Sequence, residues 1–423
     1  MPRSHLRTVA AALLALAAVA PTLSGADWPQ WRGPNRDDVS TETGLLKSWP
    51  EGGPRRVWLF EDCGVGYSGP AIVGNRLYIM GARDGNDLLL AIDATTGEEL
   101  WFAHVGEMVE NNWGDGARGT PSVDGDHVYG MGSQGNLVCV SAAQGELVWT
   151  KSMEELGGNR PNWAFTESPL VYKDLVLCTP GGEQGAIAAL NKNTGEVVWQ
   201  SADVTSEAHY SSIVLAQRAQ GDEFVQLLPD QLVGVDAKDG KLLWSQPWPG
   251  RVAVIPTPIV KDDLVYVTSG YGIGCMLVGV GPDHAVELVY ENKEMKNQHG
   301  GVILVGDHVY GHSDDVGWVC QDLKTGERVW RDRESLGKGA VAYADGMLYC
   351  ISEDEGEVAL VEASPEGWNE HGRFKLDPQT EVRKPAGKIW THPVICDGKL
   401  YLRDQNLLFC FDIKAAGSTA AGQ

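Results

Sequence analysis

Six ionisable residues stand at matching points along this sequence. Arg118, Glu167, His209, His299, Lys338 and His392 each lie at or just before an apolar run that opens a β-rich hairpin pattern. Histidine and glutamate can exchange protons, and arginine and lysine can hold an anion. Converging mixed charges suit recognition of a polar or zwitterionic group. A metal site would instead want several carboxylates or histidines at close range. No catalytic residue is assigned, because no P-loop, HExxH, EF-hand loop or nucleophile elbow occurs. Whether a metal is bound, and by which residues, stays open at this point. Gly311-His312-Ser313-Asp314-Asp315 could offer oxygens to a hard cation, but it reads more simply as a polar loop between strands. Gly64-Val65-Gly66-Tyr67-Ser68-Gly69 fits GxGxxG, but a strand hairpin follows it rather than a helix, so a dinucleotide reading fails in its context.

The elements that must position these residues come from a repeat. It reads Ala91-Ile92-Asp93-Ala94-Thr95-Thr96-Gly97-Glu98-Glu99-Leu100-Trp101, and shorter copies end at Trp149, Trp199, Trp244 and Trp330. The first four tryptophans are spaced by 48, 50 and 45 residues, and Tyr290 divides the longer gap before Trp330. A period of 40–50 residues built from short strands and turns indicates propeller blades. Each unit carries a hairpin signal, such as Pro258-Ile259-Val260-Lys261-Asp262-Asp263-Leu264-Val265-Tyr266, and then two further strands joined by a Gly turn. The expected fold is therefore all-β, an eight-bladed β-propeller of four-stranded antiparallel blades. Seven units end near Trp101, Trp149, Trp199, Trp244, Tyr290, Trp330 and Phe374. The eighth, from Thr391 to Asp412, is one strand short. Arg56-Val57-Trp58-Leu59-Phe60 supplies that strand and closes the ring, which removes an exposed edge.

Trp58, Trp101, Trp149, Trp199, Trp244 and Trp330 are read as docking residues. A large ring with one N–H can cover a neighbouring blade and still find a hydrogen bond. The starts of the innermost strands then ring one mouth of a central channel. They include Gly66-Tyr67-Ser68, Ala208-His209-Tyr210, Gln298-His299 and Ile389-Trp390-Thr391-His392. Loops bearing Asp84, Gln134, Glu183, Tyr271, Asp314, Asp315, Glu353, Asp354 and Asp404 reach the same face. This ring is the candidate ligand-binding site.

Arg3 and Arg7, the apolar run Val9–Ala20 and the small residues Ser24-Gly25-Ala26 have the order of a secretory signal peptide. The expected organisation is a signal peptide over 1–26, an extension over 27–54, the propeller over 55–413 and a disordered tail over 414–423. The expected location is periplasmic or extracellular, with no membrane-spanning segment. With 34 basic and 57 acidic residues the net charge is −23, which argues against nucleic acid as a partner. Eight cysteines occur without a CxxC, mostly inside apolar strand patterns. Some could pair in an oxidising compartment, in a connectivity the sequence does not give.

The motif at 91–101 resembles the tryptophan-docking repeat of the PQQ-like (quinoprotein) propeller family, over residues 56–412. The opening Asp27-Trp28-Pro29-Gln30-Trp31-Arg32-Gly33-Pro34-Asn35-Arg36 is similar to the start of secreted members of that family. The family contains PQQ-dependent alcohol dehydrogenases and BamB-type assembly propellers. The dehydrogenases carry a vicinal Cys-Cys pair and a calcium site with an Asp base. This sequence has no adjacent cysteines and no convincing counterpart of that site. The function this implies is a noncatalytic binding or scaffold module for a protein partner or a cell-envelope polymer, with no cofactor. The alternative is a divergent PQQ-dependent alcohol or sugar dehydrogenase that holds PQQ with calcium.

Overall fold

The computed structural model describes residues 27–416; the signal-peptide expectation over 1–26 and most of the expected tail lie outside the described residues. Eight separate antiparallel sheets follow one another around a ring. Blade 1 contains Ala71–Val73, Arg76–Arg83, Asn86–Asp93 and Glu99–Glu107, running from the axis outward. Blades 2 to 7 repeat this order, with innermost strands Ser122–Asp124, Leu170–Tyr172, Val214–Arg218, Ile259–Lys261, Val302–Val305 and Gly339–Ala344. In blade 8, Val394–Cys396, Lys399–Asp404 and Leu407–Asp412 are completed by Arg55–Phe60. That strand pairs antiparallel with Leu407–Asp412 and places Trp58 opposite Cys410. The expected eight-bladed propeller, closed by an N-terminal outer strand, is the fold observed.

The docking tryptophans show how blades lock. Trp58, Trp101, Trp149 and Trp199 each lie on the turn glycine of the next blade. Gly195 has φ +72°, and a Cβ there would come within 2.7 Å of the Trp149 ring. Only a residue that accepts positive φ and carries no side chain fits. The indole N–H of Trp149 also crosses to the Lys192 carbonyl of that neighbour at 2.9 Å. The same ring-on-glycine pairing joins Trp101 to Gly145, Trp199 to Gly240, and Tyr290 to Gly326. Across the closure Trp58 lies on Gly97 and donates to the Ala94 carbonyl at 3.1 Å. Trp330 donates forward to Ser364. Trp244 differs, giving its N–H to Glu223 of its own blade. The buried hydrophobic clusters lie between blades: one joins Trp149 to Val176 and Leu190 of the next sheet.

Residues 27–40 carry no repeat and lie across the axis. Trp28 exchanges backbone hydrogen bonds with Ile72 of blade 1, and the Pro29 carbonyl accepts from Val123 of blade 2. Arg36 donates to the Ser168 and Pro169 carbonyls at the start of blade 3. The Trp31 indole donates to Thr257 Oγ1 ahead of blade 5, and Arg32 to the Val302 carbonyl of blade 6. Val39–Ser40 pairs in parallel with the innermost strand of blade 7. Asp38 meets His392 ahead of blade 8. One segment thus bonds to seven of the eight innermost strands or their approaches. The chain then runs outward, where Leu46 and Trp49 bond to the Ile413 and His371 carbonyls, and enters the closing strand.

Candidate functional site

The axial segment is the floor of a cavity of about 330 Å³ at one mouth of the channel. Trp31 and Arg32 come from the segment itself. The walls come from loops ahead of innermost strands: Tyr67, Arg118, Thr166, Tyr210, His299, Trp390 and His392. Tyr271 and Glu353 enter from the loops between second and third strands, and Trp113, Trp163 and Lys388 from longer surface turns.

The rings are mutually supported. His299 stacks on Trp390, with centroids 4.3 Å apart and planes 17° from parallel. Trp390 meets Tyr67 at 5.0 Å, Trp31 meets His392 at 4.6 Å, and Trp163 meets Tyr210 at 5.8 Å. The Arg118 guanidinium lies over the Tyr67 ring at 4.9 Å, a cation–π contact, and Nη2 donates to the Gly114 carbonyl at 2.7 Å. Tyr67 donates its hydroxyl to the Trp113 carbonyl, which pins that loop over the mouth. Glu353 accepts the Trp390 indole N–H at 3.0 Å.

Burial dominates the electrostatics. It pulls the His299 imidazole down to about 3, with help from the cations of Lys338 and Arg118, so the ring is neutral at physiological pH. Burial also lowers Arg118 and raises the carboxyl of Glu353. Two residues that line the cavity carry a buried polar atom with no hydrogen-bond partner among the described residues, Arg118 Nε and His299 Nδ1. Buried polar atoms are ordinarily paired, so these two are exceptions.

The six sequence candidates divide. Arg118, His299 and His392 come together on the cavity. His392 is tied to Asp38 at 2.7 Å and to the His299 carbonyl at 2.8 Å, and Asp38 also takes Arg32 at 2.6 Å. Its work is to anchor the floor. Lys338 stands one bond behind the wall, donating to Gln298 Oε1 at 2.6 Å and pairing with Asp314 at 2.9 Å. Glu167 does not line the cavity. It is 2% exposed and accepts from the Thr179 hydroxyl and backbone N–H. Burial pushes its carboxyl up to about 7, against the pull of Thr179 and nearby Arg36. His209 is also off the cavity; its Nδ1 accepts from Val254 N, and its ring stacks on Tyr210. Trp31, Arg32, Trp113, Trp163 and Lys388 were not singled out from the sequence as site residues. The available signal was tryptophan in Gly- and Asn-rich stretches outside the docking register, at Gln30-Trp31-Arg32-Gly33, Asn112-Trp113-Gly114 and Asn162-Trp163.

A calcium-dependent quinone site does not fit this residue set. Glu353 is the one carboxylate lining the cavity. Among the described residues no three His, Cys, Asp or Glu side chains converge as metal ligands. Asp314, a candidate oxygen ligand, is occupied by Lys338 and Gln298.

A closed ring of tryptophan-docked blades with a ligand-sized cavity on its axis defines a propeller of the PQQ-repeat class. The chain belongs to the family whose model is described as outer membrane protein assembly factor BamB, matched over residues 85–332, more than half of its length. The outer membrane protein assembly factor BamB of Burkholderia pseudomallei is 24% identical over 332 residues, covering 68% of this chain and 82% of that protein. The crystal structure of BamB from Moraxella catarrhalis superposes with a TM-score of 0.58 at 18% identity, covering 82% of this chain and 94% of that one. Quinohemoprotein alcohol dehydrogenase from Comamonas testosteroni gives 0.60 at 12% identity, covering 92% and 81%. At these identities the two structures show the fold alone. Among the described residues no helix is long and apolar enough to cross a membrane.

Proposed function

We propose that this protein is a noncatalytic binding propeller of the cell envelope that captures one unit of an envelope polymer at its channel mouth. The observation that carries this reading is the cavity itself. Its volume, about 330 Å³, sits at the small end of ligand pockets, roughly 300–1,000 Å³. It is walled by aromatic rings that already support one another, and it is lined by Arg118, which has no carboxylate partner among the described residues. A concave, ring-lined pocket suits one compact group better than a flat protein surface. Relatives named for outer membrane protein assembly support an envelope setting and favour a second reading, in which the partner is a protein.

Titrating soluble envelope-polysaccharide fragments while following tryptophan fluorescence tests the first reading. Saturable change is expected, and Trp390→Ala should abolish it without lowering the melting temperature by more than a few degrees. If no saccharide gives saturation, the polymer reading is wrong. PQQ with calcium serves as the control ligand, and a saturable cofactor absorbance would instead support the dehydrogenase alternative.

A further inference from the structure

Aromatic boxes discriminate by charge as well as by shape. Rings alone hold a cation over their faces. This box already contains one, since Arg118 lies on Tyr67, and Lys338 stands behind Gln298. The chain as a whole carries −23, yet the cavity lining holds Arg32, Arg118 and Lys388 against the single carboxylate of Glu353. Arg32 is neutralised by Asp38, and Lys388 pairs with Asp354. Arg118 has no carboxylate partner among the described residues, and its Nε is an orphaned donor. The depressed basicity of His299, caused partly by Lys338 and Arg118, agrees with a positive local field. A cationic guest would be repelled, and an anionic one would receive a charge-assisted hydrogen bond.

The polar lining narrows the class further. Ser168 Oγ accepts from Thr120 N, Ser212 Oγ from Ser168 N, and Thr257 Oγ1 from the Trp31 indole. As acceptors, all three hydroxyls keep their own hydrogen free to donate. They offer hydroxyls around a ring-lined space, whereas the Thr166 hydroxyl already donates to the Tyr210 carbonyl and the Gln298 amide is held by Asp314 and Lys338. A guest with apolar faces and polar edges uses both features; a flat aromatic acid would leave the hydroxyls unused.

We propose that the mouth cavity binds a carboxylate-bearing sugar unit, a uronate, with its ring faces on Trp390 and its neighbours and its carboxylate on the guanidinium of Arg118. This rests on the reading of the cavity as a polymer-binding site, and it names the class of polymer. The probes are trisaccharides of galacturonate, glucuronate and mannuronate, each with its methyl ester, titrated calorimetrically into the full chain. At least one free acid should bind about tenfold or more tightly than its ester, the scale of one lost charge-assisted hydrogen bond. Its affinity should also weaken as salt screens the pair. Arg118→Gln should remove that preference, so that acid and ester bind with equal affinity. Arg118→Lys, which keeps charge but not the fork, should recover part of it. Trp390→Ala should lose both acid and ester. Equal binding of acids and esters, tighter binding of neutral trisaccharides, or tighter binding of an aromatic acid such as naphthoate would overturn the uronate inference. Neutral sugars binding alone would leave the polymer function standing. Binding of no saccharide would overturn both.

Discussion

The docking contact is a pair of residues, and the pair explains why the repeat has its form. Trp149 is 8% exposed and fills the space left by the missing side chain of Gly195. Trp149→Ala should therefore cost about 3–5 kcal/mol in urea unfolding, as for other emptied aromatic sites. A loss below about 1 kcal/mol would mean that neighbouring blades close over the gap. Glu167 makes a different prediction. Its native carboxyl titrates near 7 because of burial, above its ordinary value of 4.5, so between those values the folded protein holds more proton than the unfolded chain. Stability should be greatest below about pH 4.5 and should fall as pH rises toward 7, by on the order of 1–3 kcal/mol from this group. Glu167→Gln should flatten that fall, measured as the difference between urea midpoints at pH 5 and pH 8. If wild type and variant decline in parallel, the carboxyl is ionised throughout. The contrast between these residues shows what sequence position encodes. Trp149 was legible because the period, the turn glycine and the ring recur together. Arg118 and Glu167 occupy equivalent starts of strands, but equivalence fixes backbone position and leaves side-chain direction open. One turns to the mouth, and the other turns to Thr179 between sheets.

Two elements lie outside the run of complete units, and only one was legible as structure. Arg55–Phe60 announced itself by carrying a docking Trp without the rest of a blade. Blade 8 ended one strand short, and the two deficits cancel. Deleting residues 55–61 should lower the melting temperature of the whole ring, because the edge of Leu407–Asp412 opens and Trp58 leaves Gly97. A truncated protein that melts like the full chain would show that the closing strand is dispensable. Residues 27–40 gave no such signal. They have neither the two-residue alternation of a strand nor a helical period, and their partners are backbone groups and side chains of seven different blades. Only the tertiary structure brings those groups to one axis. The key bond is buried: Asp38 holds both Arg32 and His392. Asp38→Ala strands the Arg32 guanidinium and leaves His392 Nδ1 without its partner, both away from water, and should cost about 3–5 kcal/mol, whereas Asp38→Asn keeps the shape and should cost less. Similar losses for both variants would mean that packing, not charge, seats the segment.

At the scale of the molecule, closure must hold without covalent cross-links between blades. The sequence left disulfides open, since an even number of cysteines is compatible with pairing. The fold answers for seven of them: Cys63, Cys139, Cys178, Cys275, Cys320, Cys350 and Cys410 are free thiols, each fully buried within or between sheets. Six of them sit in strands, as Cys139 does opposite Tyr129 and Trp149, and Cys63 lies in the loop after the closing strand. Burial pushes the Cys139 and Cys410 thiols up to about 12 and Cys320 up to about 11, so the nucleophilic thiolate is scarce at neutral pH. Stability then comes from ring-on-glycine docking repeated around a closed circle, where no blade has a free flank. Such a ring should open cooperatively, because losing any one interface exposes two faces and the edge between them. Both consequences meet in one measurement. A thiol reagent such as Ellman's should label none of these seven cysteines in the native protein at pH 8 within minutes. In rising urea all seven should become reactive over one shared transition that coincides with the loss of tryptophan burial. Reductant should leave that midpoint unchanged. Stepwise exposure of cysteines from different blades at different urea concentrations would mean that the blades unfold separately, and a reductant-sensitive midpoint would mean that a cross-link helps to close the ring.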